Sequence, residues 1–201
     1  MRYRHGEAEP RIHPSAVVAD TAVVSGEVRI GAGCRIAHGA VITAEGGPVD
    51  LGEHVIVMEN AVLRSTRRHP LTIGDHSLIG PLAAITGATV DREVFIATGA
   101  RIFNGAVIGR GSEVRIDAVV HLRTVLEAGS TVPIGWVAVG DPAQLFPPGA
   151  HEEIWAVQRE LDFAGTVFGI DATTTERPFM VELTERYARS LGEHAHDERL
   201  D

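Results

Sequence analysis

Four side chains able to do chemistry crowd one short stretch of the chain: Arg64, Arg67, Arg68 and His69, in RSTRRHPLT. A guanidinium presents two parallel donors that match the oxygens of a carboxylate, phosphate or bicarbonate. The cluster therefore suits a small anion. The plainer alternative is ion pairing across a subunit boundary with Glu59, Glu45 or the acidic tail. His69 adds a group that exchanges a proton near neutral pH and can act as a general base. The single cysteine, Cys34, excludes an internal disulfide framework and a cysteine-rich zinc module.

These residues belong to an acidic chain of 201 residues, with eighteen basic side chains, twenty-seven acidic ones and a net charge of −9. That balance argues against gripping a phosphate backbone, so no nucleic-acid partner is expected. No apolar run approaches the roughly 18 residues of a membrane span, and MRYRHGEAEP does not read as a signal peptide. A cytoplasmic protein without a membrane partner is expected. Twenty-two glycines with only 5% aromatic residues point to β-structure with frequent turns.

The elements that must position the cluster are spelled by a repeat. In steps of six the chain reads Ile12, Val18, Val24, Ile30, Ile36 and Ile42, then, after a step of nine, Leu51, Val57 and Leu63. A step of ten leads to Ile73, Ile79 and Ile85, and a step of five to Val90. From there Ile96, Ile102, Ile108, Val114, Val120, Leu126 and Val132 follow at six. The fifth slot of each hexad is mostly small, as at Ala22, Cys34, Ala61, Ala83 and Ala118. Each hexad predicts one flat side of a coil with its aliphatic residue inward, three sides to a turn and turns stacked at about 4.8 Å.

The expected fold is an all-β solenoid, a parallel β-helix of hexapeptide repeats with about seven turns and C-terminal α-helices. Residues 1–11 form an N-terminal segment, 12–137 the β-helix, and 138–201 an exit loop and helical extension. The two long steps are loops, Thr43–Asp50 and Arg64–Thr72. Ile154, Val157 and Leu161 predict one amphipathic helix, and Met180, Leu183, Tyr187 and Leu191 a second beginning at Pro178. The tail GEHAHDERLD is expected to fray. His5, His13, His194 and His196 are expected to be solvated.

The period-six, small-fifth signature resembles the hexapeptide-repeat β-helix, which in that class is left-handed. More specifically, LGEHVIVMENAVLR, PLTIGDHSLIG, ITGATVDREVFIATGA and GWVAVGDPAQLF resemble the γ-class carbonic anhydrases over residues 12–148. The resemblance implies a homotrimer with a zinc held between neighbouring subunits by three histidines, the metal turning water into hydroxide. Mapped through the repeat, those ligands fall at Arg64, Pro81 and Thr86, none of them histidine. The family's glutamine and acidic residue become Met58 and Glu59, and its Arg-x-Asp becomes Thr43-x-Glu45.

No metal or other cofactor is expected at Arg64, Pro81 and Thr86, so whether the chain is an enzyme is left open. The first reading is an inter-subunit cleft that binds a small anionic metabolite through Arg64, Arg67, Arg68, His69 and Thr86, with Glu59 and His69 the catalytic candidates. The others are a non-catalytic structural or regulatory trimer (a pseudo-enzyme), an acyl-CoA-dependent acyltransferase using His69 as base, and a carbonic anhydrase with a rebuilt site. For zinc or another divalent ion, the rebuilt site would use His54 and His76, stacked in the fourth slot of one side, with Glu53 or Asp75. If FAGTVFGI and the second helix cross onto a neighbour and roof the cleft, binding is favoured. If they cover the open end of the coil they are the usual solenoid cap, and that is the expectation.

Overall fold

The computed structural model describes residues 1–170 and 177–200. The aliphatic hexads do what their period requires. Eighteen of the twenty inward positions are buried, and Ile12 and Val18, on the first turn, are half-buried against the same core. The small fifth residues point inward beside them: Ala22, Cys34, Ala61, Ala83 and Ala118 are all fully buried.

Short parallel strands stack into three sheets, which among the described residues hold ten, seven and seven strands. Register keeps like residues in columns, so Ile42, Leu63, Ile85, Ile102 and Val120 lie one above another on the first sheet. The corner itself is made by the fourth slot, whose backbone is left-handed, for example at Gly33 (φ 70°), His54 (φ 54°) and His76 (φ 57°). Glycine accepts that conformation freely, whereas a side chain there costs about 1–2 kcal/mol.

The coil reaches about eight turns because the first sheet continues beyond the aliphatic hexads. At one end Arg2–Arg4 pairs in parallel with Val23–Ser25. At the other, Val137–Val139 places Ala138 in the inward column above Val120. Both edges of this sheet are closed by antiparallel strands, Gln144–Phe146 and Glu198–Arg199. The sheet therefore ends in strands of only three and two residues, and short edge strands offer little for another chain to pair with.

The tail is therefore not frayed, as its polarity had suggested: Glu198–Arg199 returns to the first strand of the chain. The extension also divides. Helix α1 (His151–Gln158) buries Ile154 and lies against Val137–Val139, in the last turn of the coil. The turn of helix Ala164–Phe168 and helix α2 (Phe179–Gly192) instead lie beside the arginine loop, which corrects the expectation that these two elements cap the open end. Helix α2 buries none of its residues; Tyr187 and Leu191 face a cavity rather than a core.

Candidate functional site

The arginine loop leaves the coil after strand Val62–Arg64 and rejoins it at Leu71–Ile73. Between them Thr66 and His69 exchange backbone hydrogen bonds of 2.9 and 3.1 Å, forming a tight turn with Arg67 and Arg68 at its tip. Ser65, fully buried, anchors the turn: its hydroxyl donates to the Gly47 carbonyl and accepts from the Glu45 amide at 3.2 Å. The two long loops are thus stitched together, and Glu45 of the first faces Arg64 of the second at 3.7 Å.

The extension meets this turn in the same chain. Arg68 Nη1 donates to the Gly165 carbonyl at 2.9 Å, and Arg123 Nη2 to Thr166 Oγ1 at 2.8 Å. Arg186 of helix α2 donates to the Gly169 carbonyl at 3.2 Å. The result is a cavity of about 440 Å³ whose wall carries Arg64, Arg67, Arg68 and Arg186, with Glu45 and Glu193 the acidic residues among those described. A second cavity of about 480 Å³ opens on the other side of Arg68, with His69, Arg123, Asp162 and Thr166 in its wall. Arg67 and Arg68 have no carboxylate partner among the described residues.

His69 rests over the Gly87–Gly105 corner, where a Cβ on Gly87 would stand 2.5 Å from the His69 Cβ. Burial lowers its pKa, and the positive charges of Arg123 and Arg68 lower it further. The imidazole is therefore a neutral base at physiological pH. Thr86 is the register partner of Arg64 one turn up, but it does not line either cavity. Glu59 is exposed on the corner after Ile56–Val57, away from the arginines.

Arg64 and Thr86 end their strands at one edge of the first sheet, while Pro81 lies in the turn that enters strand Ala84–Thr86 at the other edge. Pro81 and Met58 line a separate apolar groove of about 450 Å³ with Leu78, Phe95, Ile116 and Ile134. His54 and His76 stack as the repeat predicts, ring centroids 5.1 Å apart and nearly parallel. Both are exposed, and Asp75 spends Oδ1 on the Glu53 amide at 2.7 Å. His121 lies two turns above Thr86 in the same column, its ring tilted against that of Phe103 at 6.0 Å, its pKa lowered by burial.

Of the four terminal histidines, His13 and His196 are exposed as expected, whereas His5 and His194 depart from expectation. His5 and His194 are part-buried and stacked at 4.4 Å, and Asp197 accepts from both, at 2.6 and 2.8 Å. His194 Nε2 also faces Glu45 Oε2 at 3.0 Å. The Asp197 hydrogen bond raises the His194 pKa against the opposing effect of burial, with Glu45 adding to the rise. They were missed because Glu45 and His194 are 149 positions apart and follow no period. Arg123 and Arg186 were missed for the same reason.

Against known proteins, the chain is 30% identical to the mitochondrial gamma carbonic anhydrase 1 of Arabidopsis thaliana over 199 residues, covering 96% of this chain and 70% of that protein. It is 31% identical over 111 residues to the carbonic anhydrase of Geobacillus kaustophilus, covering 55% and 61% of the two chains. Among solved structures, a UDP-N-acetylglucosamine acyltransferase from Bacteroides fragilis superposes with a TM-score of 0.58 at 14% identity, over 90% of this chain and 89% of that one. No family model matches the chain. The architecture is that of the left-handed β-helix proteins built from hexapeptide repeats. Within that class, the chain belongs to the γ-carbonic anhydrase family. Among the described residues, no helix is long and apolar enough to cross a membrane.

Proposed function

We propose that this chain forms a homotrimer of the γ-carbonic anhydrase family whose cleft binds a small carboxylate- or phosphate-bearing metabolite, and that it does not hydrate CO2 at the family's zinc positions. The observation that carries the reading is the pair Arg67 and Arg68, which among the described residues have no carboxylate partner, on the wall of a cavity shared with Arg64 and Arg186 in a chain of net charge −9. Two guanidinium groups without a carboxylate partner among the described residues, beneath a roof of helix α2, suit an anion held by two or more charged hydrogen bonds.

The zinc positions offer little to a metal. Proline has no ligating side chain, and the guanidinium of Arg64 brings a positive charge that is never lost. Trimer formation is supported by apolar side chains around the corner that holds Pro81: Leu82, Phe95, Ile116 and Ile134 are 62, 43, 45 and 62% exposed. A contiguous patch of this kind marks an interface. Because Pro81 and Arg64 sit at opposite edges of one sheet, a second copy is needed to bring their neighbourhoods together. A lone buried thiol, Cys34, fits a reducing, cytoplasmic setting.

The test is calorimetric titration with inorganic phosphate, bicarbonate, succinate and citrate, on the wild type and on an Arg67→Ala/Arg68→Ala variant. One of these anions should bind the wild type, and the variant should lose it. Equal binding to both, or CO2 hydration by the zinc-supplemented protein, overturns the reading. Light scattering should give roughly three times the 21.5 kDa chain mass.

One observation favours a second reading, acyl transfer from a CoA thioester. His69 is held neutral beside Arg68 and Arg123 in the adjoining cavity, where a base could face an acceptor hydroxyl or amine. Acetyl-CoA binding that His69→Ala leaves in place while abolishing turnover would support it.

A further inference from the structure

Away from the positions that correspond to the family's zinc, three ligating side chains converge: one donor atom each from His5, His194 and Asp197 lies within 4.8 Å of the others. We propose that His5, His194 and Asp197 form a binding site for a divalent first-row transition cation, such as Zn²⁺, Co²⁺ or Ni²⁺, at the edge of the arginine cleft. The proposal stands apart from the anion reading and needs no residue of the arginine turn.

Two of the three donor spacings are close to those around a coordinated ion, and the third lies within 4.8 Å. Ligand bonds of about 2.0–2.2 Å place neighbouring donors roughly 3 to 3.5 Å apart. Here His5 Nδ1 and His194 Nδ1 stand 2.6 and 2.8 Å from the two oxygens of Asp197, so an ion that replaces the bridging protons has only to widen these contacts slightly. Two imidazoles and one carboxylate suit zinc, cobalt or nickel better than magnesium or calcium, which prefer all-oxygen shells.

The surroundings carry the argument further than the three donors alone. With Nδ1 on the ion, His194 presents Nε2–H to Glu45 Oε2 at 3.0 Å, the carboxylate–imidazole–metal arrangement that fixes a ligand's tautomer and strengthens it as a donor. Arg64 in turn faces that carboxylate at 3.7 Å. All three donors are part-buried, with side-chain exposures of 16 to 26%, yet His5 and Glu45 line the cavity, which leaves a path for the ion to enter. Both ends of the chain contribute, through His5 after strand Arg2–Arg4 and through His194 and Asp197 before Glu198–Arg199. A bound ion would clasp the two paired strands together.

The test uses the full chain without a polyhistidine tag, stripped with chelator and titrated with zinc chloride or cobalt chloride alone. One ion per chain is expected, with a rise in melting temperature on addition of zinc. Asp197→Asn, which keeps shape and hydrogen bonding, and His194→Ala should each weaken uptake at least tenfold. Glu45→Gln should weaken it about ten- to a hundredfold. Cobalt should give visible absorption bands that His194→Ala abolishes. Circular dichroism of the metal-free variants separates lost ligation from lost folding, and the near-isosteric Asp197→Asn keeps the test sharp if His194→Ala detaches the tail. No stoichiometric uptake overturns the proposal, as does uptake that survives Asp197→Asn and His194→Ala unchanged. Uptake that depends on His54 and His76 instead also overturns it. A chain that takes up zinc but no carboxylate or phosphate refutes the proposed function and leaves this inference standing.

Discussion

If the cleft takes an anion through Arg64, then Glu45 is that anion's competitor, and the two residues must respond with opposite signs. Arg64 Nη2 lies 3.7 Å from Glu45 Oε2, with side chains 32 and 15% exposed. Coulomb's law at that distance gives about 1 kcal/mol with the dielectric constant of water and about 4 kcal/mol at an effective value of 20. Partial exposure and salt bring the working figure to about 1 kcal/mol. Arg64→Met removes a charged donor, worth about 1.5–3 kcal/mol, so the anion's Kd should rise roughly ten- to a hundredfold. Glu45→Gln frees the guanidinium from its internal partner, and Kd should fall about fivefold. Calorimetry at low and high salt, with chelator present so that no metal links the two readings, gives both numbers; raising the salt should weaken binding to the wild type. Weaker binding by Glu45→Gln, or unchanged binding by Arg64→Met, would refute the assignment of Arg64 to the anion.

Three other outcomes test the frame and the loop. Ile85 is fully buried between Leu63 and Ile102, so Ile85→Asp places an unpaired carboxylate in the core and should cost several kcal/mol; a soluble, cooperatively folding variant would mean that the inward column is misassigned. Gly87→Ala should destabilise by more than the roughly 1–2 kcal/mol of a left-handed alanine (φ 52°), because its Cβ collides with His69. Gly111→Ala (φ 68°), with nothing within 4 Å, should show the backbone cost alone, and equal losses in urea melts would remove the His69 contact from the argument. The third concerns pH. His69 and His121 have lowered pKa values in the folded chain, so the unfolded chain takes up protons first as pH falls. Their contribution is intact above the ordinary histidine pKa of 6.5 and is lost as pH falls through the folded values. Stability should therefore drop more between pH 7.5 and 5.5 in the wild type than in a His69→Gln/His121→Gln variant. The raised pKa of His194 pulls the other way but cancels in that comparison. Parallel curves would mean that neither histidine is desolvated on folding.

The sequence by itself determined the coil. A residue that must face inward every six positions leaves a trace that survives two loops and one short step, and burial of Leu63, Ile85 and Ile102 follows that trace directly. The same counting placed Arg64 beneath Thr86 and His54 beside His76, because in a solenoid the register of every side chain is set by its distance from the last inward residue. Only the tertiary structure decided where the extension goes, that Arg123 and Arg186 join the arginine turn, and that the chain's two ends meet through His5, His194 and Asp197. Those encounters depend on polar groups finding partners across 17 to 192 positions of chain. No periodicity records such a pairing: each partner is an ordinary surface residue until the fold sets the other beside it.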